Sequence, residues 1–262
     1  MPRNKRTLEP FVALLFLFIA IFCLNVVPPS TSALAENIGK APATRSGVLE
    51  EAIKMRQTHF FMGDADVTVA YNGIRIENIS QLKYILVAKA PEWRVYVYRT
   101  DDKTYFCESL KEFEQTGLMS NFLFPFNSAM LGGRRYEPAI LTMNGFKVIQ
   151  LSSAQEKLKY MDIVTLPQQV KRIMYVAYKL PTNGGIPISY IRHQHGVDLV
   201  TGFDRKGEIE IALDTTTIKR VKVSPQEFEL PPQMNKISSM REVVAGNNSR
   251  DRSEDAKALL GM

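Results

Sequence analysis

The chain has 262 residues, with 33 Lys and Arg against 27 Asp and Glu, a formal charge of +6 at pH 7. A surplus this mild, spread along the chain, argues against nucleic-acid binding. Its two cysteines, Cys23 and Cys107, exclude a disulfide framework, and the length permits one or two domains with a core of their own. Met1–Pro10 carries Arg3, Lys5 and Arg6 against Glu9, and an apolar run follows from Phe11 to Val27 with only Asn25 polar. A short polar stretch then closes on Ala33–Leu34–Ala35. Basic head, apolar middle and small-residue ending make residues 1–35 a secretory signal peptide. The alternative is an N-terminal membrane anchor over residues 11–27, since a span needs about 17–25 apolar residues. Either way the remaining chain is expected outside the cytoplasm, in the periplasm or at the outer side of the inner membrane. Phe22 ahead of Cys23 is too large for a lipid-modified cysteine. Without residues 1–35 the chain loses three basic residues and one acidic one, leaving 227 residues with a charge of about +4.

Residues 36–46 are polar, contain Gly and Pro, and read as a linker. Val48, Leu49, Ile53 and Met55, interleaved with charge, predict a helix over 47–61. From Val67 the period changes to two. Val67, Val69 and Tyr71 lead to Asn72–Gly73, and Ile74 and Ile76 follow. Asn-Gly between alternating runs signals a hairpin whose two central residues have positive φ. Strands are expected at 84–88, at Trp93–Arg99 and at 103–108, then a helix at 109–115. Residues 118–131 hold Phe122, Phe124, Phe126 and Met130, broken by Pro125 and ended by Gly132–Gly133, and read as an apolar helical insertion. Strands resume at 139–143 and 146–151 around a second Asn-Gly, Asn144–Gly145, and continue at 172–180, 186–192, 208–214 and 218–223. The segment 228–232 closes the domain, and 241–262, charged and mixed, reads as a disordered polar tail.

Three stretches carry a family likeness: Arg75–Asn78 with Tyr84–Val87 and Arg94–Tyr98; Gly185–Ile188 leading to His195–Gly196; and Leu213–Thr217 with Val223 and Phe228–Pro232. Together with the element order, they make residues 47–240 resemble the outer-membrane lipoprotein carrier (LolA-like) superfamily. The resemblance implies an α+β fold: a single curved antiparallel sheet, an unclosed half-barrel, with an N-terminal helix and the helical apolar insertion on one face. No functional residue of that superfamily can be placed on this sequence, and sharing its fold would not make this protein a lipoprotein carrier.

The chemistry-bearing residues are sparse. His193 and His195 lie two apart on a predicted strand and share a face, but His59 is the only other histidine, and a zinc site needs three or four protein ligands. A polar, solvent-facing strand is the preferred reading. Cys107 follows Tyr105 and Phe106 with no nucleophile signature and reads as a small buried hydrophobe. Asp101–Asp102 and Asp64/Asp66 fit turns. No phosphate loop, dinucleotide fingerprint, G-x-S-x-G or H-E-x-x-H motif occurs, so neither a catalytic residue nor a metal or other cofactor is assigned. What stands out is aromatic and methionine density. Trp93, Tyr96 and Tyr98 on one hairpin, with Phe122, Phe124, Phe126 and Met130 of the insertion, are the predicted ligand-binding residues. The expected function is non-enzymatic binding or carriage of a lipid, an acylated molecule or another apolar ligand. A membrane-tethered module that binds a protein partner in the envelope is the alternative, and a hydrolase with an unrecognised site ranks third.

Overall fold

The computed structural model describes residues 48–80, 82–118, 135–180, 183–193 and 207–246. Six strands come first: β1 (Glu50–His59), β2 (Gly63–Ala70), β3 (Gly73–Asn78), β4 (Ile85–Lys89), β5 (Val95–Arg99) and β6 (Thr104–Glu108). Helix α1 (Leu110–Thr116) follows, then β7 (Glu137–Met143), β8 (Phe146–Ser152) and β9 (Glu156–Met161). Helix α2 (Gln168–Tyr178) leads to β10 (Ile186–His193) and β11 (Ile209–Val223). A 3₁₀ turn (Pro225–Phe228), β12 (Asn235–Lys236) and helix α3 (Met240–Ala245) complete the described chain. All twelve strands form one sheet in the order β12-β6-β5-β4-β3-β2-β1-β11-β10-β9-β8-β7. Every pairing is antiparallel except β12 with β6, which is parallel.

This overturns the expected α+β half-barrel. The described fold is sheet-dominated, a single open mixed sheet with three short helices. Two misread segments explain most of the difference. Residues 47–61 form not a helix but β1. Ile53, Met55, Gln57 and His59 alternate into the interior, and two of these four inward positions are polar, which hides the period of two. Residues 172–180 form not a strand but the end of α2. Val170, Ile173, Met174 and Ala177 fall at helical spacing and are all buried, and this face overrides the strand preference of the β-branched and aromatic residues among them. The expected helix at 109–115 forms one residue later. Ser109 caps it, accepting from the Glu112 amide at 3.2 Å, while Glu112 accepts from the Ser109 amide at 2.8 Å. The predicted insertion at 118–131, apart from buried Leu118, lies outside the described residues.

The buried polar residue Gln57 occupies a place where strand pairing slips. The β1–β11 register shifts between Arg56 and Gln57, and the β9–β10 register shifts between Pro187 and Ser189. Such bulges leave ladder groups without strand partners. Gln57 Nε2 donates to the Pro187 carbonyl at 2.8 Å and to Thr215 Oγ1 at 3.0 Å, and Thr215 Oγ1 donates to the Ile188 carbonyl at 2.6 Å. The Tyr178 hydroxyl donates to Gln57 Oε1 at 2.8 Å, tying α2 to the same knot. The side chains thus satisfy buried groups that the slipped ladders leave unpaired.

After β11 the chain crosses the back of the sheet as a strap. Phe228 packs with Ala52, Ala70 and Val223, and Leu230 and Met234 pack on Ile85, Val87 and Tyr98. Lys89 pairs with Glu229. The strap then runs beside β6, where the Asn235 amide donates to the Lys103 carbonyl at 2.7 Å and the Ile237 amide to the Tyr105 carbonyl at 2.8 Å. Met240, Val243 and Val244 of α3 join the main core on the other face. The polar tail drawn at 241–262 therefore begins inside a packed helix, and 247–262 lies outside the described residues.

Candidate functional site

Where the strands diverge, a cavity remains. β10 pairs with β11 only from Ile209 to Leu213, while β11 continues along β1 to Val223. Past that point the register sets Ile53 opposite Arg220 and Glu51 opposite Lys222, with Val69 of β2 beside Ile53. Successive strand residues alternate faces, so Ile53, Val69 and Arg220 share the core face. The connection from β9 to α2 lies across this end. Its Leu166 amide donates to the Ile163 carbonyl at 3.1 Å, a turn that places both side chains against the core. Lys171 of α2, itself buried, pairs with Asp162 at 3.9 Å and anchors the connection.

The space, open to solvent on one side, is about 440 Å³. Ile53, Val69, Ile163 and Leu166 give it an apolar floor, and Glu51, Tyr71, Thr165, Arg220 and Lys222 form a polar mouth. Tyr71 is 66% exposed there. The Arg220 guanidinium carbon lies 4.6 Å from the Phe146 ring centroid, a cation–π contact. This volume falls within the range of small-molecule sites, about 300–1,000 Å³.

The sequence-predicted binding residues do not gather at this cavity. Trp93 is buried in the main core with Val95 and Val97 of its hairpin. Tyr96 and Tyr98 point to the back of the sheet, where Tyr98 packs with Ile85 and Val87, and Arg75 donates to its hydroxyl at 2.8 Å. Burial raises the Tyr98 pKa against the lowering effect of Arg75. Phe122, Phe124, Phe126 and Met130 lie outside the described residues. No nearby motif marks the cavity residues in the sequence. The one signal was the alternation of Ile218, Arg220 and Lys222, which puts an apolar residue and two cations on one strand face.

The titratable residues elsewhere have structural partners. His59 is buried. Its Nδ1 accepts from the amides of Phe61 at 3.2 Å and Met62 at 3.3 Å, and its Nε2 donates to the Tyr178 carbonyl at 3.3 Å. Desolvation pushes its pKa from 6.5 down to about 4, against the opposing effect of the Tyr178 carbonyl. His193 ends β10 half-buried, and His195 lies outside the described residues. Cys107 is partly exposed, not the fully buried hydrophobe expected, and Arg94 approaches its Sγ at 3.6 Å. Asp101 holds Arg99, with Nε to Oδ1 at 3.0 Å, and Asp66 pairs with Arg56 at 2.6 Å, so these acids act as fasteners. Among the described residues no group of three or more His, Cys, Asp or Glu side chains is placed to hold a metal ion. Nor is any described helix long and apolar enough to cross a membrane.

No protein-family profile matches the chain, and no curated protein matches it. Comparison with solved structures aligns 71% of this chain with 89% of an uncharacterized conserved protein from Thermus thermophilus, at 9% identity and a TM-score of 0.36. A likeness at that level carries no weight for the fold or the function.

Proposed function

We propose that this protein is exported and binds a lipid or other apolar ligand without transforming it. The observation that carries the reading is the cavity of about 440 Å³, with an apolar floor of Ile53, Val69, Ile163 and Leu166 below a polar mouth. Val69, Ile53 and Leu166 of the floor are already buried and Ile163 is half-buried, so an apolar ligand gains by covering the modest apolar surface that remains, at about 25 cal/mol per Å². Export rests on the tripartite N-terminus ending at Ala33–Leu34–Ala35. The binding site therefore moves from the predicted aromatic hairpin to the diverging end of β1 and β11.

A fluorescent fatty-acid analogue titrated into the protein tests the reading. The expected result is saturable uptake with a blue-shifted emission. Thr165→Trp, a substitution at an exposed rim position, should block uptake while leaving the thermal midpoint within about 2 °C, since surface changes stay within roughly 0.5 kcal/mol. Absence of uptake at every concentration up to the probe's solubility limit would remove the cavity as a ligand site. A tethered module with a protein partner would then take its place. That second reading has one observation of its own: edge strand β7 carries Ile140 at 70% exposure.

A further inference from the structure

The charges at the cavity mouth select among apolar ligands. Three charged residues line it: Glu51, Arg220 and Lys222. Arg220 and Lys222 lie two apart on β11, so their side chains leave the same face. Neither forms an ion pair with a described residue, and the register partner of Lys222, Glu51, forms none either. The mouth therefore holds two cations against one carboxylate, with no close ion pair to a described residue.

Among the described residues, the strand edge beside the mouth is also without a strand partner. In an antiparallel strand the N–H and C=O of one residue point to the same side, and the side alternates along the chain. Asn144 Nδ2 donates to the Ile218 carbonyl at 3.4 Å. Asn144 belongs to the β7–β8 turn and not to β1, so Ile218 directs its backbone groups away from β1. Arg220 and Lys222, in the same phase, direct theirs away from β1 too. β10 has already left β11 there, and among the described residues no strand pairs with that edge. Two cationic side chains thus border one apolar cavity, next to a strand edge that has no described strand partner.

We infer that the ligand is an anionic amphiphile, an acyl chain ending in a carboxylate or a phosphate. Its chain lies on Ile53, Val69, Ile163 and Leu166, and its head meets Arg220 and Lys222. The assignment rests on the apolar-ligand reading above and narrows it to one chemical class. Arg220 offers a fork of N–H groups that fits either oxyanion, and Lys222 adds a point charge beside it. Glu51 opposes the head and weakens binding without abolishing it.

Equilibrium titrations of the exported chain with oleate, oleyl phosphate, oleyl alcohol and inorganic phosphate separate the elements of the proposal. The two anionic amphiphiles should bind about tenfold more tightly than oleyl alcohol at low ionic strength, and the ratio should shrink as salt screens the exposed charges. Lys222→Gln and Arg220→Gln should each lower that ratio severalfold, and Glu51→Gln should raise it. All three positions are exposed, so thermal midpoints should be unchanged for Lys222→Gln and Glu51→Gln and only slightly lowered for Arg220→Gln, which loses its contact with Phe146. Oleyl alcohol binding as tightly as oleate would overturn the anionic assignment and leave the apolar-ligand reading standing. Inorganic phosphate binding as tightly as oleyl phosphate would show an anion site with no use for the chain. No binding of any amphiphile would end both proposals.

Discussion

Single residues set how this protein responds to pH. His59 is held neutral by burial and by a satisfied set of hydrogen bonds, with its pKa pushed down to about 4 from 6.5. In the unfolded chain it titrates at the ordinary value. Above pH 6.5 both states are neutral and His59 adds no pH dependence. As pH falls from 6.5 towards 4 the unfolded chain takes up a proton that the folded one refuses, and stability drops by about 3 kcal/mol across that window. His59→Gln should be less stable than wild type at pH 7, since it disturbs the contacts to Phe61, Met62 and Tyr178. It should nevertheless lose less stability between pH 6.5 and 4. Urea midpoints at several pH values measure the difference. Parallel acid limbs in the two proteins would show that carboxylates, not His59, control it. The burial of His59 was not legible in the sequence, because an isolated histidine does not reveal which face of a strand it occupies.

At the scale of elements, the two Asn-Gly pairs look alike in sequence and work differently. Asn144 and Gly145 have φ of 49° and 78°, as a two-residue hairpin turn demands. Neither Asn72 nor Gly73 has a positive φ, so the expected turn geometry fails there. Gly73 is instead needed because a Cβ on it would overlap the Phe228 ring of the strap. Ala at either glycine should destabilise, for separable reasons. Gly145→Ala meets open space and should cost about 1–2 kcal/mol of pure backbone strain. Gly73→Ala should depend on Phe228. Phe228→Ala alone should cost about 3–5 kcal/mol. In the double variant the glycine penalty should shrink, with a coupling of roughly 0.5–3 kcal/mol. Chemical denaturation of the four proteins reads that coupling, and strict additivity would show that the strap does not press on Gly73. The hairpins were legible because Asn-Gly and flanking alternation are local signals. The strap was not, since Phe228, Leu230 and Met234 declare their apolar character in sequence but not the distant strands they cover.

For the whole molecule, the diverging sheet and the export signal expected at residues 1–35 are the features to test. The cavity exists because β11 outruns β10 and follows β1 to its start. Its lining joins strands near the beginning of the described chain to a strand near its end. The N-terminal reading has its own test. If residues 1–35 are a signal peptide, intact-mass measurement of protein from the cell envelope should give a chain starting at Glu36. A full-length chain in the membrane fraction would favour the anchor, and a soluble full-length chain in the cytoplasm would contradict both.

The sequence by itself determined the short-range features. The alternating strands from Val67 to Ile76, the hairpin at Asn144–Gly145 and the helix after Ser109 all arise from residues only a few positions apart, and all appear in the fold, whereas the amphipathic strand expected at Trp93–Arg99 starts only at Val95 and is buried on both faces. Only the tertiary structure decided β1 and α2. The inward Gln57 and His59 make sense once Thr215, 158 residues away from Gln57, and Tyr178 provide their partners. The strand-prone residues of α2 become helical because one side of that helix finds the sheet's core. The cavity was decided at this level too. It depends on the register between β1 and β11 and on where β10 departs, and register between distant strands is set by packing across the sheet rather than by neighbours in the chain.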